Sequence, residues 1–429
     1  MLGLILGLGL LMFLAYRGMS IIWIAPLCAL VVAIFGGLPL LDTYTRTYME
    51  GFVGFTRSWF PVFMLGAIFG KIMEETGMAQ AVAHWFVQIL GKQRAILAVV
   101  AGCAILTYGG VSLFVVVFAM YPLALALFRE ANISRKLIPG CIALGSFTFT
   151  MTALPGTPQI QNLIPMEFFK TQATAAPIMG IGAALVLMFG GYFYMIWKER
   201  RLTAAGDVFT EGKDSVKGID ATKLPNPYLS FLPLITVAAT LNLPFIKFPP
   251  ILALLSGIVV AIAINPSIFK KLVPTINAGA NASLIAIINT SAAVGFGMVV
   301  RAVPAFKALT DALMELGGNP LISIAVVVNA LAGATGSASG GLAIALRALG
   351  AEYMAIAQAT GISPEAFHRI ASLSSGGLDT LPHNGAVLTL LAVTGLTHKE
   401  SYLDIAVVSL VIPIFATIVA IVLASMGLV

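Results

Sequence analysis

Long apolar runs recur along the whole chain, and they constrain its fold more than any other feature. Of the 429 residues, 59% are hydrophobic and only 10% are charged, whereas a soluble domain carries about 25% charged residues. A run of about 20 apolar residues is long enough to cross the ~30 Å hydrocarbon core of a bilayer as a helix. The sequence therefore predicts an all-α polytopic membrane protein, with the lipid bilayer as a partner.

Ten of these runs predict complete crossings. They span residues 2–16, 20–40, 50–72, 137–165, 171–197, 227–245, 250–268, 275–300, 364–392 and 402–428. The first run has no basic stretch before it and no small-residue cleavage pattern after it. We therefore interpret it as a retained span rather than a signal peptide.

Two further apolar segments, about 94–128 and 321–349, are each interrupted near the centre by small and polar residues. The interruptions read TYGGVS at Thr107–Ser112 and TGSASGG at Thr335–Gly341. Each half has roughly 14 residues, which is enough to reach the middle of a membrane but not to cross it. We interpret both segments as re-entrant helical hairpins.

The basic residues agree with this scheme. If both hairpins return to the side on which they start, sixteen of the 24 Lys and Arg residues fall on one face. That face is predicted to be cytoplasmic. Both termini then lie outside, the polar linker 198–226 lies in the cytoplasm, and Arg369 falls in an outer loop.

The two halves of the chain, 1–197 and 227–429, come into register when one is shifted by 227 residues. The shift pairs Gly70 with Gly297, Ser112 with Ser339 and Leu154-Pro155 with Leu381-Pro382, with a local slip of two residues near Ile133. Each half then holds five crossings and one hairpin. Because five is odd, the second copy is inverted in the membrane, and inverted repeats with broken helices are typical of secondary transporters.

One span in each half contains residues that break a helix. The stretch TALPGTPQIQN (Thr152–Asn162) lies in span 137–165, and DTLPHNGAVLT (Asp379–Thr389) lies in span 364–392. Irregular backbone at this depth is tolerated only where it lines a cavity or is buried in protein. We expect both breaks and both hairpin tips to face one site.

Helix N-termini at such a site carry partial positive charge, which suits a carboxylate, and no Lys or Arg is expected at the four elements. The candidate substrate-binding residues are the polar and small residues of the tips and breaks. They are Tyr108, Gly109, Gly110, Ser112, Thr152, Gly156, Thr157, Gln159, Ser337, Ser339, Gly340, Thr380, His383 and Asn384. The alternative for any single Ser or Thr is a hydrogen bond to its own helix.

Asp379 is the most informative single residue, because an acidic side chain within a span is costly and usually functional. Burial favours the protonated form, so Asp379, with His383 four residues later, is a candidate for proton coupling. A sodium site of carbonyls and hydroxyls, or an Asp379 that only caps the broken backbone, are the alternatives. No cofactor and no metal centre are expected, and His84, His368 and His398 are assigned outside the broken elements.

Two stretches carry a family resemblance. TYGGVSLFVVVFAMYPLALALFREANISRKLIPGCIALGSFTFTMTALPGTPQIQN and SSGGLDTLPHNGAVLTLL resemble the gluconate permease family (GntP-type) of the ion transporter superfamily. The resemblance implies a carrier in the bacterial inner membrane that imports gluconate or a related hydroxy acid by proton symport. It also implies a homodimer with scaffold and transport domains and an elevator-type motion, and it puts the substrate site on the tips, Thr152–Thr157 and Asp379–Asn384.

The resemblance has limits. Sodium-coupled dicarboxylate carriers of the superfamily have Ser-Asn-Thr triplets at their hairpin tips, and this chain has none there. Gluconate, 3-hydroxybutyrate and lactate-like acids all remain open as substrates. We assign the hairpins and the third, fourth, eighth and ninth crossings to the transport domain, and the first, second, sixth and seventh crossings to the scaffold.

A transporter is the leading hypothesis among three classes. A sodium-coupled carboxylate transporter is the alternative within that class, and an anion channel is the rival from another class. An enzyme would need a nucleophile–base pair or metal ligands, for which Asp379 and His383 are thin support. The chain is expected not to be an enzyme and to have no nucleic acid partner. Its expected partner is a small organic anion that it transports.

Overall fold

Helices make up the regular structure of the chain. The computed structural model describes residues 2–17, 19–211, 221–243, 245–246, 248–306, 318–382 and 384–429, and within these ranges it contains no β-strand. The helices of the first half are α1 (Leu2–Tyr16), α2 (Ile21–Gly36), α3 (Leu40–Glu75), α4 (Met78–Leu90), α5 (Ala95–Tyr108), α6 (Leu113–Glu130), α7 (Ile138–Ser146), α8 (Ile160–Phe169) and α9 (Pro177–Ala204). Those of the second half are α10 (Pro227–Asn242), α11 (Pro250–Ile264), α12 (Leu272–Ala302), α13 (Pro320–Thr335), α14 (Ala338–Thr360), α15 (Pro364–Ser375), α16 (Gly385–Thr394) and α17 (His398–Ser425).

Six helices in the described residues are long and apolar enough to cross a membrane, and the polytopic all-α prediction is confirmed. Four of them, α3, α9, α12 and α17, coincide with predicted crossings. The other two, α6 and α14, are the second limbs of the predicted hairpins. The limbs are longer than the expected half-crossings, because the apolar sequence continues to Glu130 and Thr360.

Four of the ten predicted crossings, α1, α2, α10 and α11, are shorter helices, and two are interrupted. The helix α4 was not predicted, because Gln80, His84 and Gln88 interrupt its apolar pattern. It forms a bent pair with the next helical segment, with an angle of 101° between them.

Local sequence signals account for several helix ends. Asn319 and Ser363 cap α13 and α15 by accepting hydrogen bonds from backbone N–H groups of the first turn, and a proline follows each cap. Asparagine and serine are favoured caps, and proline at the first position leaves no donor unsatisfied. At the second hairpin tip, Gly336 has φ of +58°, the left-handed conformation that ends a helix.

The helices pack in two groups. In one group, α3 packs most extensively on α12, α12 also packs on α2, and α3 packs on α11. The two groups are joined where α12 packs on α14 of the second hairpin. In the other group, α9 packs on α17, α15 packs on α8 and α17, and the limbs of each hairpin pack against each other. A small separate core, which contains Phe296 and Tyr48, lies between α1, α2, the start of α3 and α12.

The expected division into transport and scaffold parts stays a prediction, and the packing groups follow it only in part. The third and eighth crossings, α3 and α12, join the group of α1, α2, α10 and α11. The fifth and tenth, α9 and α17, pack with the broken helices instead. The packing partners of these helices could not be predicted from the order of the sequence, because apolar helices of similar composition do not indicate which other helices they contact.

Candidate functional site

The first hairpin tip lies against the first break, which we define as residues 147–159 between α7 and α8. The hydroxyl of Tyr108 donates a hydrogen bond of 3.0 Å to the carbonyl of Pro155. The Gln159 Nε2 donates to the carbonyl of Thr107 over 2.6 Å. The first bond satisfies a carbonyl of the break, and the second adds to the bond that the carbonyl of Thr107 accepts from the N–H of Gly110.

The second hairpin tip lies against the second break, residues 376–384 between α15 and α16. The Nδ2 of Asn384 donates to the carbonyl of Gly336 over 3.0 Å. The Oδ1 of Asn329, on α13, accepts from the N–H of Leu378 over 3.2 Å. The absence of a side chain at Gly377 permits this approach, because a Cβ there would overlap Oδ1 of Asn329.

The two breaks also contact each other. The hydroxyl of Ser372, at the end of α15, donates to the carbonyl of Thr152 over 2.8 Å. A Cβ on Gly376 would lie only 2.8 Å from Cγ2 of Thr152. The first tip, the first break, the second break and the second tip therefore form one continuous series of contacts.

Arg369 lies at this junction, and its assignment to an outer loop was wrong. Its side chain is completely buried, at 0% exposure. It donates to the carbonyl of Ala175 over 2.6 Å, to Oδ1 of Asn162 over 2.9 Å and to the carbonyl of Thr152 over 3.4 Å. In the described residues, no carboxylate lies within 4.0 Å of its guanidinium.

The expectation that no Lys or Arg sits at the four elements was therefore also wrong. The helix α15 begins at Pro364, so Arg369 lies more than one turn inside it rather than in a loop. The signal was present in the sequence, since an arginine within an apolar span marks a functional position by default.

His368 is likewise buried at the junction, contrary to its assignment outside the broken elements. Its Nε2 lies 3.2 Å from Oδ1 of Asn162, and its Nδ1 lies 2.6 Å from the hydroxyl of Thr171. The Asn162 amide is oriented by two carbonyls, of Thr157 and Ala173, that accept from its Nδ2. Because Oδ1 of Asn162 can only accept a hydrogen bond, Nε2 of His368 is the protonated ring nitrogen and donates to it.

Asp379 is buried at the second break, with 4% of its surface exposed. Its Oδ1 is enclosed and has no hydrogen-bond partner in the described structure. It forms no ion pair within 4.0 Å with a described Lys or Arg. A buried carboxylate oxygen without a hydrogen-bond or ion-pair partner is unfavourable when charged. The surroundings of Asp379 therefore favour the protonated carboxyl. His383 lies outside the described residues.

Several predicted site residues use their side chains within the fold. The hydroxyl of Thr152 donates to the carbonyl of Thr148 in its own helix. Thr380 donates to the carbonyl of Ser409, which lies in a π-helical turn of α17. Asn384 caps α16 in addition to contacting the second tip. The geometry thus makes these three side chains structural in this conformation.

The remaining predicted residues line the tips and the first break. The Thr157 hydroxyl is buried without a partner, and Ser112 makes no capping hydrogen bond. Ser337 accepts from the N–H of Gly340 and lies 3.5 Å from Ser339, hydroxyl to hydroxyl. Three glycines have backbone roles: Gly110 and Gly156 have φ of +95° and +82°, and a Cβ on Gly109 would meet Leu234.

Two surface cavities, of about 350 and 640 Å³, are lined by residues near the helix ends, including Lys92 and Glu130 in the first and Lys198 and Asp404 in the second. No residue of a break or a hairpin tip lines either cavity. No group of three or more metal-ligating side chains occurs in the part of the chain that the structure describes.

Apolar helices that break where two hairpin tips meet are typical of membrane transporters. The fold is similar to that of the solved YdaH transporter from Alcanivorax borkumensis, with a TM-score of 0.59, 16% identity, and coverage of 90% of this chain and 89% of that one. The fold and these contacts define a polytopic helical membrane protein with the fold of that transporter.

The sequence identifies the family. The chain is 44% identical over 448 aligned residues to the uncharacterized transporter YxjC of Bacillus subtilis (strain 168), with 95% of both chains covered. It therefore belongs to the family of that transporter. An uncharacterized permease of Haemophilus influenzae is 25% identical over 354 residues, which are 75% of this chain and 71% of the permease. No family model matches the chain, and the specific resemblance to gluconate permeases stays a prediction.

Proposed function

We propose that this protein is a secondary active transporter that imports a small hydroxy monocarboxylate, such as gluconate or 3-hydroxybutyrate, by proton symport. The observation that carries the proposal is Arg369, a buried cation at the crossing of the two breaks that has no acidic partner within 4.0 Å among the described residues. Its hydrogen bonds are made to neutral carbonyl and amide oxygens. Glu365, one turn earlier on α15, accepts from the N–H of Ala176 and partly offsets this charge from beyond ion-pair distance. A buried cation without a direct acidic partner favours an anion nearby.

Asp379 supports proton coupling. Among the described residues, Oδ1 of Asp379 has no hydrogen-bond partner, and no Lys or Arg lies within 4.0 Å of its carboxyl. Both features favour a neutral carboxyl when the second break is enclosed. Protonated from the outside, the residue would cross the membrane uncharged, which lowers the cost of moving the loaded site. Release of the proton on the cytoplasmic side would then make inward transport follow the proton gradient.

The positions of the helix ends support a repeat. The ends of α3 and α12, Glu75 and Ala302, differ by 227, as do those of α5 and α13, Tyr108 and Thr335. The ends of α7 and α15 differ by 229, which matches the slip of two residues in the sequence register. We propose two inverted repeats, residues 1–197 and 227–429, joined by a cytoplasmic linker at 198–226.

The two packing groups support an elevator-type motion. The group with both hairpins, both breaks, α9 and α17 would move as the transport domain against the group of α1, α2, α3, α10, α11 and α12. We propose that the protein is a homodimer in the bacterial inner membrane, with both termini in the periplasm. Its relatives are transporters and a permease by name, in keeping with a role that is not enzymatic.

Sodium coupling is the alternative. It is favoured by Thr107 and Thr157, whose buried hydroxyl oxygens have no partner and could contribute to a site for a hard cation. An anion channel is the remaining alternative. It would conduct without saturation and without a coupled ion gradient.

The test is uptake of labelled gluconate and 3-hydroxybutyrate into proteoliposomes, with an inward proton gradient or an inward sodium gradient imposed separately. Saturable uptake above equilibrium under the proton gradient alone is the expected result. Accumulation only under sodium would transfer the coupling role from Asp379 to oxygens of the tips and breaks. Flux that follows only the substrate's own gradient, without saturation, would refute secondary active transport.

A further inference from the structure

Three enclosed polar atoms at the first break have no hydrogen-bond partner in the described structure. They are Oγ1 of Thr107, Oγ1 of Thr157 and Oδ1 of Asn242. Both threonines are completely buried, at 0% exposure. Thr107 belongs to the first hairpin, Thr157 to the first break and Asn242 to the last turn of α10. Neither Thr107 nor Asn242 was a candidate from the sequence.

Hydrogen bonds to the chain on either side of Thr157 bring these elements together. The Nδ2 of Asn242 donates to the carbonyl of Gly156 over 2.8 Å. The Nε2 of Gln159 donates to the carbonyl of Thr107 over 2.6 Å. The position of Gly156 permits the contact with α10, since a Cβ there would lie 3.0 Å from Oδ1 of Asn242. Thr157 is therefore flanked by the other two residues.

The orientation of the Asn242 amide is determined by its neighbours. Its Nδ2 donates to two carbonyls, those of Gly156 and Ala238, and carbonyls can only accept. Oδ1 is therefore the free atom, and it is an acceptor. A buried acceptor left without a donor is destabilising, so this atom favours a ligand that can donate to it.

The threonines depart from the usual behaviour of their residue type. A buried threonine in a helix commonly donates to a carbonyl of the preceding turn, and Thr148 does so to Leu144 over 2.6 Å. Thr107 and Thr157 make no such bond. Each hydroxyl can therefore donate to a ligand oxygen or accept from a ligand hydroxyl.

These requirements select the chemistry of the ligand. A carboxylate has only acceptor oxygens, so it can satisfy the two hydroxyls but not Oδ1 of Asn242. A ligand hydroxyl can donate to Oδ1 and accept from a threonine at the same time. We infer that Thr107, Thr157 and Asn242 form a subsite that recognises a hydroxyl group of the transported acid.

The inference rests on the proposed function and extends it in one respect. Because Asn242 lies on α10, the subsite spans the two packing groups and is assembled when the first break lies against α10. Recognition of the hydroxyl is thereby linked to one conformation of the transporter. A site that hydrogen-bonds a substrate hydroxyl rejects the analogue without it far more strongly than an apolar pocket does.

The test is competition in proteoliposomes that take up labelled 3-hydroxybutyrate under an inward proton gradient. Unlabelled 3-hydroxybutyrate is compared with butyrate, the matched acid without the hydroxyl, as inhibitor. We expect 3-hydroxybutyrate to inhibit at a concentration at least about tenfold lower than butyrate. In Thr157→Val and Thr107→Val this ratio should fall towards one, while Thr157→Ser should retain it. Thr417→Val, on α17, is the matched control, because the buried hydroxyl of Thr417 already donates to the carbonyl of Pro413 in its own helix.

Saturable uptake with equal inhibition by the two acids in the wild-type protein would overturn the subsite and leave the transporter proposal intact. If the ratio of inhibition by the two acids were unchanged in Thr157→Val, the subsite would likewise be overturned, because the Thr157 hydroxyl would then bind only water. Uptake that requires sodium in the wild-type protein and loses this requirement in Thr157→Val would assign the oxygens to a cation instead. Absence of saturable uptake of any labelled acid would contradict the proposed function itself.

Discussion

At the scale of single residues, Arg369 does more than any other side chain to tie the two halves together. It extends from α15, in the second half, to the carbonyls of Thr152 and Ala175 and the amide of Asn162, in the first. A guanidinium has five donors in a planar fork, so it can bridge several acceptors that an ammonium cannot reach together. The residue is both a brace between the breaks and the source of positive charge at their crossing.

Replacement of Arg369 should separate these two roles. Arg369→Gln is expected to reduce anion uptake by at least about tenfold, because it removes the buried charge and most of the hydrogen bonds. Arg369→Lys keeps the charge and should retain more uptake than the glutamine variant, with reduced thermal stability. Uptake in proteoliposomes and thermal unfolding in detergent measure the two effects.

The exposed Arg57 on α3 provides a control. Arg57→Gln should change neither uptake nor unfolding. Full uptake by a correctly folded Arg369→Gln variant would show that the charge has no part in anion transport.

Asp379 is the second residue with a separable role. Asp379→Asn is expected to abolish accumulation driven by the proton gradient, because the amide cannot carry a proton. Exchange of labelled for unlabelled substrate across the membrane should persist, since it needs no net proton movement. Both are measured in the same proteoliposomes, with the exposed Asp42→Asn as control. Unchanged uphill uptake in Asp379→Asn would eliminate the residue as proton carrier.

At the scale of elements, close backbone approach shapes both hairpins and breaks. The limbs of the second hairpin touch at Gly341, where a Cβ would overlap the backbone nitrogen of Ala332. Small residues permit such approach between membrane helices. Where Thr380 of the second break meets α17, a π-helical turn at Val407–Val411 lies opposite, and the carbonyl of Ser409 in this turn accepts from the threonine.

Two glycines of similar appearance should therefore respond differently to alanine. Gly341→Ala is expected to destabilise the protein by about 1–3 kcal/mol or more, because the limbs must separate to accommodate the methyl group. Gly385→Ala, on α16, should have little effect, since nothing lies within 4 Å of a Cβ there. Thermal unfolding of both variants in detergent tests the difference. Equal unfolding temperatures would contradict the tight contact between the limbs.

At the scale of the whole molecule, the start of the linker is attached to the first hairpin and to the start of α7. Asp207 forms an ion pair of 2.6 Å with Lys136 and accepts from the hydroxyl of Ser134. Glu211 pairs with Arg129 over 2.8 Å. These contacts fasten the segment that leads towards the second half onto the end of the first hairpin and the loop before the first broken helix.

The attachment should weaken in acid. Partial burial alone would raise the pKa of Asp207, but hydrogen bonds from Lys136 and Ser134 and the charge of Lys136 outweigh this and lower it. A lowered folded-state pKa stabilises the protein above the unfolded value of about 3.9, and the contribution is lost as the pH falls through the lower folded-state value. The difference in unfolding temperature between the wild type and Asp207→Asn should therefore be constant at neutral pH and shrink below about pH 4. A difference that stays constant or grows on acidification would contradict the ion pair.

Part of the site could be predicted from the sequence. Proline and glycine clustered with polar residues interrupt an apolar span, whereas single prolines such as Pro61 and Pro122 lie inside helices. The positions of both breaks and both tips therefore followed from local chemistry, and an acid such as Asp379 stood out against its apolar surroundings. The partners of polar side chains could not be predicted in this way. Thr152 and Thr157 look alike in the sequence, but one hydroxyl is bound to its own helix and the other is free.

The sequence by itself determined that this is a polytopic helical membrane protein with two hairpins and two broken spans, because length, apolarity and helix breaking are local properties. The 44% sequence identity between this chain and YxjC further determined the transporter family. Only the tertiary structure decided that Arg369 and His368 lie at the crossing of the breaks. It also decided that α12 packs on α2, that α3 packs on α11, and that the side chain of Asn242 reaches Gly156. The reason is physical: a hydrogen bond between residues 86 positions apart depends on how helices pack, and apolar helices of similar composition carry little information about their neighbours.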